Sequence, residues 1–202
     1  MELPVFDVDI NFSGIKSSIS ATAIEQRAMK RTIKNNQIHF LKAQSLSDLC
    51  VRPLPNEQYR IITEKQFNAY ALIIDLLKDS IIDELYIAIY RINEPTVDSI
   101  IDLIDNGRIK KAVFIISNYF NQTKKPERWA LKLREYSSIK PNVSHRYVHN
   151  HAKVAAIKAG DDYYVFEGSG NMSDNARIEQ YVYENNKEVF DFHKDWMLKL
   201  IA

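Results

Sequence analysis

The 202-residue chain is poor in cysteine, glycine and proline, with one, five and six of them, and has no long apolar run. The lone Cys50 has no partner within the chain, which excludes a disulfide-stapled scaffold and fits a reducing compartment. So little glycine and proline exclude collagen-like and low-complexity chains. No stretch approaches the ~20 apolar residues of a membrane-spanning helix, and Met1–Asp7 lacks the basic and apolar regions of a secretory signal. These absences predict a cytoplasmic protein without stable membrane anchoring. What is present is ordinary globular material: 46% hydrophobic residues, 26% charged residues and a net charge of +1. At this length one domain of roughly 150 residues plus an accessory segment is expected.

The organisation changes near Pro53 and Pro55. Residues 1–55 have irregular hydrophobic spacing and dense polar residues, and are read as an N-terminal accessory arm whose partner the sequence does not reveal. Within it, Ala21 to Gln37 is a candidate helix. Residues 56–202 carry α/β punctuation. Arg60–Ile62 reads as a short strand, and Thr63 with Gln66 as a capping box opening a helix with Phe67, Tyr70, Ile74, Leu77 and Ile81. Leu85–Tyr90 and Ala112–Ile116 read as buried strands. Between them, Pro95 and Gly107 bracket a helix. A helix with Trp129, Leu133 and Tyr136 on one face follows Pro126.

Three strands are then expected at Val143–Val148, Lys153–Ile157 and Tyr163–Phe166, the last two joined by a turn at Ala159–Asp162, and another at Gln180–Tyr183. A C-terminal helix from Lys187 aligns Val189, His193, Trp196 and Leu200. The expected fold is α/β: a mixed, mostly parallel sheet flanked by helices on both faces.

Charge is segregated along this order. Arg108 to Arg146 holds ten Lys or Arg against Glu127 and Glu135, whereas Asp161 to Asp195 holds nine acids against Arg177, Lys187 and Lys194. A basic stretch of this kind is either a polyanion surface or a set of solvated helix faces.

The chemistry-bearing segment is His149-Asn150-His151-Ala152-Lys153, followed by Gly168-Ser169-Gly170-Asn171 and then Glu179. On an extended segment His149, His151 and Lys153 project from one face, because side chains alternate with a period of two. A Gly-Ser-Gly-Asn turn offers amides, a hydroxyl and a carboxamide to one point. Together these groups suit a tetrahedral phosphoryl group: cation and donors for the oxygens, and an imidazole to attack phosphorus or move a proton. A metal pair of His149 and His151 has no adjacent carboxylate or thiol cluster to complete coordination, so neither metal nor cofactor is expected.

This ordered set resembles the phospholipase D superfamily, whose signature is His-x-Lys, four residues, Asp, six residues, then Gly-Ser-x-Asn. His151 and Lys153 match the first part; Gly168, Ser169 and Asn171 match the second. After four intervening residues, Lys153 is followed by Lys158 where the family has Asp, while Asp161 holds the family's spacing when counted back from Gly168. A hairpin lengthened around Ala159-Gly160 reconciles the two counts.

The resemblance implies metal-independent attack on phosphodiesters with His151 as nucleophile, Lys153 and Asn171 gripping phosphate oxygens, Ser169 supporting them and Glu179 orienting the imidazole. His149, Gly168, Gly170 and Asp161 are the accompanying candidates for substrate contact. The family uses two such motifs per site and this chain has one, so a homodimer is implied. The basic central stretch and short chain favour nucleic acid, DNA or RNA, as substrate. The implied enzyme is a sequence-nonspecific endonuclease, suited to a phage or mobile-element setting and then to a host cytoplasm. Two alternatives remain: a catalytically degenerate nucleic-acid-binding or assembly protein, and a lipid phosphodiesterase.

Overall fold

The computed structural model describes residues 37–43, 52–64, 69–121, 126–173 and 178–202, the first of these segments and Glu64 by backbone alone. The expected helix at Ala21 to Gln37 and the lone Cys50 lie outside the described residues, the last residue of that helix excepted.

Eight strands form one sheet: β1 (Gln37–Ala43), β2 (Glu57–Glu64), β3 (Glu84–Ile89), β4 (Ala112–Ser117), β5 (Val143–Val148), β6 (Val154–Ala159), β7 (Asp162–Gly168) and β8 (Ile178–Asn185). Their order is β1-β2-β8-β7-β6-β3-β4-β5. Helices α1 (Ala69–Leu76), α2 (Glu94–Asp105), α3 (Arg128–Ile139) and α4 (Lys187–Ile201) cover it. The sheet is mixed, as expected. Parallel pairing joins β1 to β2, β3 to β4 and β4 to β5, and the other neighbours are antiparallel, so the parallel share is smaller than the sequence suggested. The β6–β7 hairpin sits in mid-sheet, which makes every pairing around it antiparallel.

Alternation along the strands builds two cores. Leu85, Ile87 and Ile89 of β3 and Phe114 and Ile116 of β4 join Ile73, Ile100 and Leu133 on the face covered by α1, α2 and α3. Tyr86, Ala88, Val113, Ile115, Ala156 and Val165 face the other way, against Phe190 and Met197 of α4. Such doubly covered strands read as continuous apolar runs, which is why β3 and β4 were legible in sequence. On α4 the buried residues are Phe190, His193 and Met197; of the expected Val189, His193, Trp196 and Leu200, His193 is buried, Val189 and Trp196 pack partly buried beside it and Leu200 is exposed.

Thr63 does not cap a helix. The β2–β8 ladder runs on through Thr63↔Glu179 to Glu64↔Ile178, so this backbone is committed to the sheet, and the described residues of α1 are Ala69–Leu76. Part of the segment read as an arm is joined to the same sheet. Strand β1 pairs with β2. Arg52 bonds Asp75 and Asp79, at 3.2 and 2.7 Å, and the Pro53 carbonyl accepts from Asn185 Nδ2 at 3.2 Å. No helix among the described residues is long and apolar enough to cross a membrane.

Candidate active site

The parallel strands β3, β4 and β5 end at one edge of the sheet, where the antiparallel β6 and β8 begin and β7 ends. The carboxyl ends of parallel strands are where α/β folds place their ligands, because the loops there are free of ladder obligations. His149 to Lys153 form the connection from β5 to β6 and are not extended strand, so the expected one-face alignment of His149, His151 and Lys153 does not arise from strand alternation. A residue overlooked in the sequence, Asn150, shapes this connection. Its Nδ2 donates to the carbonyls of Ile89 and Ile115, at 3.1 and 2.9 Å, and its Oδ1 accepts from the Ala152 amide at 2.9 Å. One carboxamide thus ties the His151 loop to the ends of β3 and β4. Its position two residues before the amide it accepts from is the signature of an Asx turn, the one signal the sequence offered.

Within this loop His151 is exposed, and Lys153 folds back onto it. Lys153 Nζ lies 3.2 Å from His151 Nδ1 and donates to the His151 carbonyl at 2.9 Å. Tyr90, just past β3, packs its ring 4.8 Å from the His151 imidazole, and Lys153 Nζ lies 5.7 Å over the same ring. Burial holds the Lys153 ammonium below the ordinary lysine range, with the Glu179 carboxylate pulling the other way.

The second group of residues arrives on β7 and β8. The Gly168 amide donates to the Lys153 carbonyl at 3.1 Å, which sets the two motifs side by side. Gly168 is required there by close approach: a Cβ would lie 2.1 Å from the Tyr181 ring and 2.5 Å from the Gln180 carbonyl. The Ser169 hydroxyl donates to Glu179 Oε2 and accepts from the Gln180 amide at 3.1 Å. Glu179 is therefore held by Ser169, and Lys153 takes the place beside His151 Nδ1 that the sequence reading gave to Glu179. Asn171 Oδ1 accepts from the Arg91 amide at 3.1 Å, fastening the Gly-Ser-Gly-Asn turn to the loop after β3. Gly170 is buried beneath that turn, and His149 is exposed.

Asp161 stands apart. It is exposed in the turn between β6 and β7, at the far end of the hairpin from Lys153, and β6 alone spans roughly 20 Å. The turn is fixed instead by Asp83, whose Oδ2 accepts from the Gly160 amide at 3.0 Å. Lys158, at the place where the signature has Asp, pairs across the ladders with Glu84 and Tyr163.

The basic stretch is in large part answered within the chain. Lys110 pairs with Asp83, Lys132 with Asp98 and Lys140 with Asp105 at 2.6–2.7 Å, and Arg128 lies 3.7 Å from Glu94. Arg134 and Arg146 act on the partly buried His145, whose pKa is lowered first by burial and then by these two cations. Among the described residues no group of three or more His, Cys, Asp or Glu is placed to hold a metal ion.

Comparison with solved structures identifies the architecture. The chain is similar to the phospholipase D family member Nuc of Salmonella typhimurium, at 14% identity and a TM-score of 0.52, covering 71% of this chain and 94% of that chain. It is similar to NucT of Helicobacter pylori, at 20% identity and a TM-score of 0.50, covering 71% and 96%. A third likeness is to polyphosphate kinase of Porphyromonas gingivalis, at 14% identity and a TM-score of 0.51, covering 70% of this chain and 26% of that one. No protein-family model and no curated protein matches the sequence. The chain has the phospholipase D superfamily fold. A kinase among the neighbours shows that this fold by itself does not select one reaction.

Proposed function

We propose that this chain is a metal-independent phosphodiesterase, acting as a sequence-nonspecific endonuclease through a phosphohistidine formed on His151 in a homodimer. The observation that carries the reading is the exposed His151 ring with Lys153 Nζ 3.2 Å from Nδ1, beside the Ser169–Glu179 pair on the adjoining strand ends.

The chemistry follows from that geometry. An ammonium donating to Nδ1 places the imidazole proton on Nε2, the wrong nitrogen for attack from that side. A phosphodiester entering the site offers Lys153 a better acceptor in its anionic oxygens, and the ammonium moves from the ring to the phosphate. Once the ammonium has left Nδ1, the single ring proton passes through solvent from Nε2 to Nδ1, and His151 attacks phosphorus through the freed Nε2. The P–N bond forms as the P–O bond to the leaving alcohol breaks. His151 of a second copy, entering as the imidazolium, protonates that leaving oxygen and becomes neutral, then takes a proton from the water whose oxygen displaces the first ring from phosphorus, which restores both rings. Lys153 and the Asn171 carboxamide oppose the charge on the phosphoryl oxygens. Glu179, through Ser169, fixes the turn.

A second reading, binding without turnover, is favoured by one observation: Lys158 occupies the acidic place of the signature, and Asp161 lies at the wrong end of the hairpin. The experiment is incubation of the purified full chain with plasmid and with oligonucleotides in EDTA, alongside His151→Ala. Cleavage by the wild type alone supports the enzyme. Binding without cleavage by either chain supports the second reading, and release of headgroup from phospholipid vesicles in place of nucleic-acid cleavage moves the substrate to lipids.

A further inference from the structure

The loop after β4 presents an aromatic ring that neither the fold nor the phosphoryl chemistry uses. Ser117 accepts from the Tyr119 amide and opens a single 3-10 turn, Asn118–Phe120. The turn buries Asn118 and Phe120, at 8% and 7% exposure, and leaves Tyr119 at 61%. The ring is also fixed in orientation. It lies nearly parallel to Tyr90, at 27° and 6.5 Å between centroids, and Phe120 meets it edge-on at 5.2 Å. Tyr90 in turn contacts the His151 imidazole. A row of rings therefore leads outward from the proposed nucleophile, His151 to Tyr90 to Tyr119. The exposed Arg91 lies beside it, with its guanidinium 5.9 Å from the Phe120 ring centroid.

A held aromatic face with a cation at its flank is the arrangement that single-stranded nucleic acids use, bases on the ring and phosphates on the cation. A paired base has both faces occupied by its neighbours in the stack. A phospholipid headgroup offers no flat π-face to cover a tyrosine.

We propose that Tyr119 is a stacking platform for an unpaired nucleobase flanking the scissile phosphate, with Arg91 beside it for the adjoining backbone, so that the site selects single-stranded nucleic acid. This rests on the phosphodiesterase reading above and names its substrate class.

The test uses the full chain carrying His151→Asn, so that strands survive, titrated in EDTA by fluorescence anisotropy. The probes are a labelled 12-mer of thymidylate and a 12-mer of abasic deoxyribose phosphates with the same charge. Adding Tyr119→Ala should weaken thymidylate binding about tenfold or more and leave the abasic strand unchanged, while Tyr119→Phe retains the wild-type preference. Equal affinity for the two strands before the substitution overturns the platform. So does an equal loss on both strands, or a loss that follows a fall in dimer mass by light scattering. Cleavage by the wild-type chain is assayed in parallel. Cleavage without the base-dependent preference removes the platform and leaves the phosphodiesterase standing; the preference without cleavage does the reverse.

Discussion

Two histidine and carboxylate regions share strands β7 and β8, and they have opposite characters. At the open end, His151 is exposed beside Lys153, and Glu179 of β8 binds Ser169. Further along, beneath α4, His193 is 5% exposed. Its Nε2 meets Glu167 at 3.0 Å and its Nδ1 accepts from Trp196 Nε1 at 3.1 Å. The second imidazole is buried with both nitrogens committed, so it holds α4 to β7. The first has a partner that an incoming anion can remove. The same residue types are reactive where a bond is exchangeable and structural where every donor and acceptor is spent.

The largest expected effect sharpens the comparison directly. His151→Ala should lower phosphodiester cleavage by on the order of 10⁴ or more, with the melting temperature unchanged, in a discontinuous cleavage assay paired with calorimetry. Loss of folding in that variant would erase the distinction between the two histidines.

Next comes Lys153→Ala, with an expected loss of about 10²–10³ in cleavage rate. The wild-type pH profile offers a second reading of the same group. Because burial lowers the Lys153 pKa, the ammonium is present below the folded value and lost above it, so the alkaline fall in phosphate binding should begin below the ordinary lysine value of 10.5. A limb at or above that value would show that another cation grips the phosphate.

The buried region should respond in stability and not in rate. His193→Ala removes a buried ring together with its bonds to Glu167 and the Trp196 indole, and should cost about 2 kcal/mol, roughly 4–8 °C in melting temperature, with kcat unchanged. The Glu167 carboxyl is held below its ordinary value chiefly by the hydrogen bond from His193. Its contribution is therefore present above the ordinary glutamate value and lost as pH falls through the lower folded one, and that acid-side loss should shrink in the variant.

The smallest effect has the opposite sign. Glu184 is 3% exposed, its Oε2 has no hydrogen-bond partner, and burial and the nearby Glu167 raise its pKa. Ionising it costs stability as pH rises from the ordinary value of 4.5 through the raised one. Glu184→Gln should therefore raise the melting temperature at pH 7 by a few degrees, about 1 kcal/mol, and the gain should vanish near pH 4. Loss of stability at both pH values would place an unseen cation against this carboxylate.

Much of this architecture was written in the chain, because doubly covered strands are continuous apolar runs and helices announce their ends. Asn93, whose side chain accepts from the Thr96 amide, and Pro95 open α2 where the punctuation placed it. The α4 stripe was read correctly at His193, but Phe190 and Met197 are the fully buried apolar residues, Val189 and Trp196 pack at the margin and Leu200 is exposed. Periodicity finds a stripe, but the choice between adjacent stripes belongs to the surface it lands on. Thr63 was misread for a related reason: a capping pattern and a strand compete for one backbone, and the distant β8 decided between them.

The sequence by itself determined the residue types and order of the candidate site, His151, Lys153, Gly168, Ser169, Asn171 and Glu179, and the alternation of elements that carries them. Those are properties of local spacing and survive without knowledge of what lies opposite. Only the tertiary structure decided that Lys153 and not Glu179 stands beside His151 Nδ1, and that Asn150 ties the loop to β3 and β4. Lys153 lies two positions from His151 and meets it in a loop held by the Asn150 bonds, which join residues 61 and 35 positions apart. Hydrogen bonds of that reach are set by which strands the fold makes neighbours, and no local pattern encodes them.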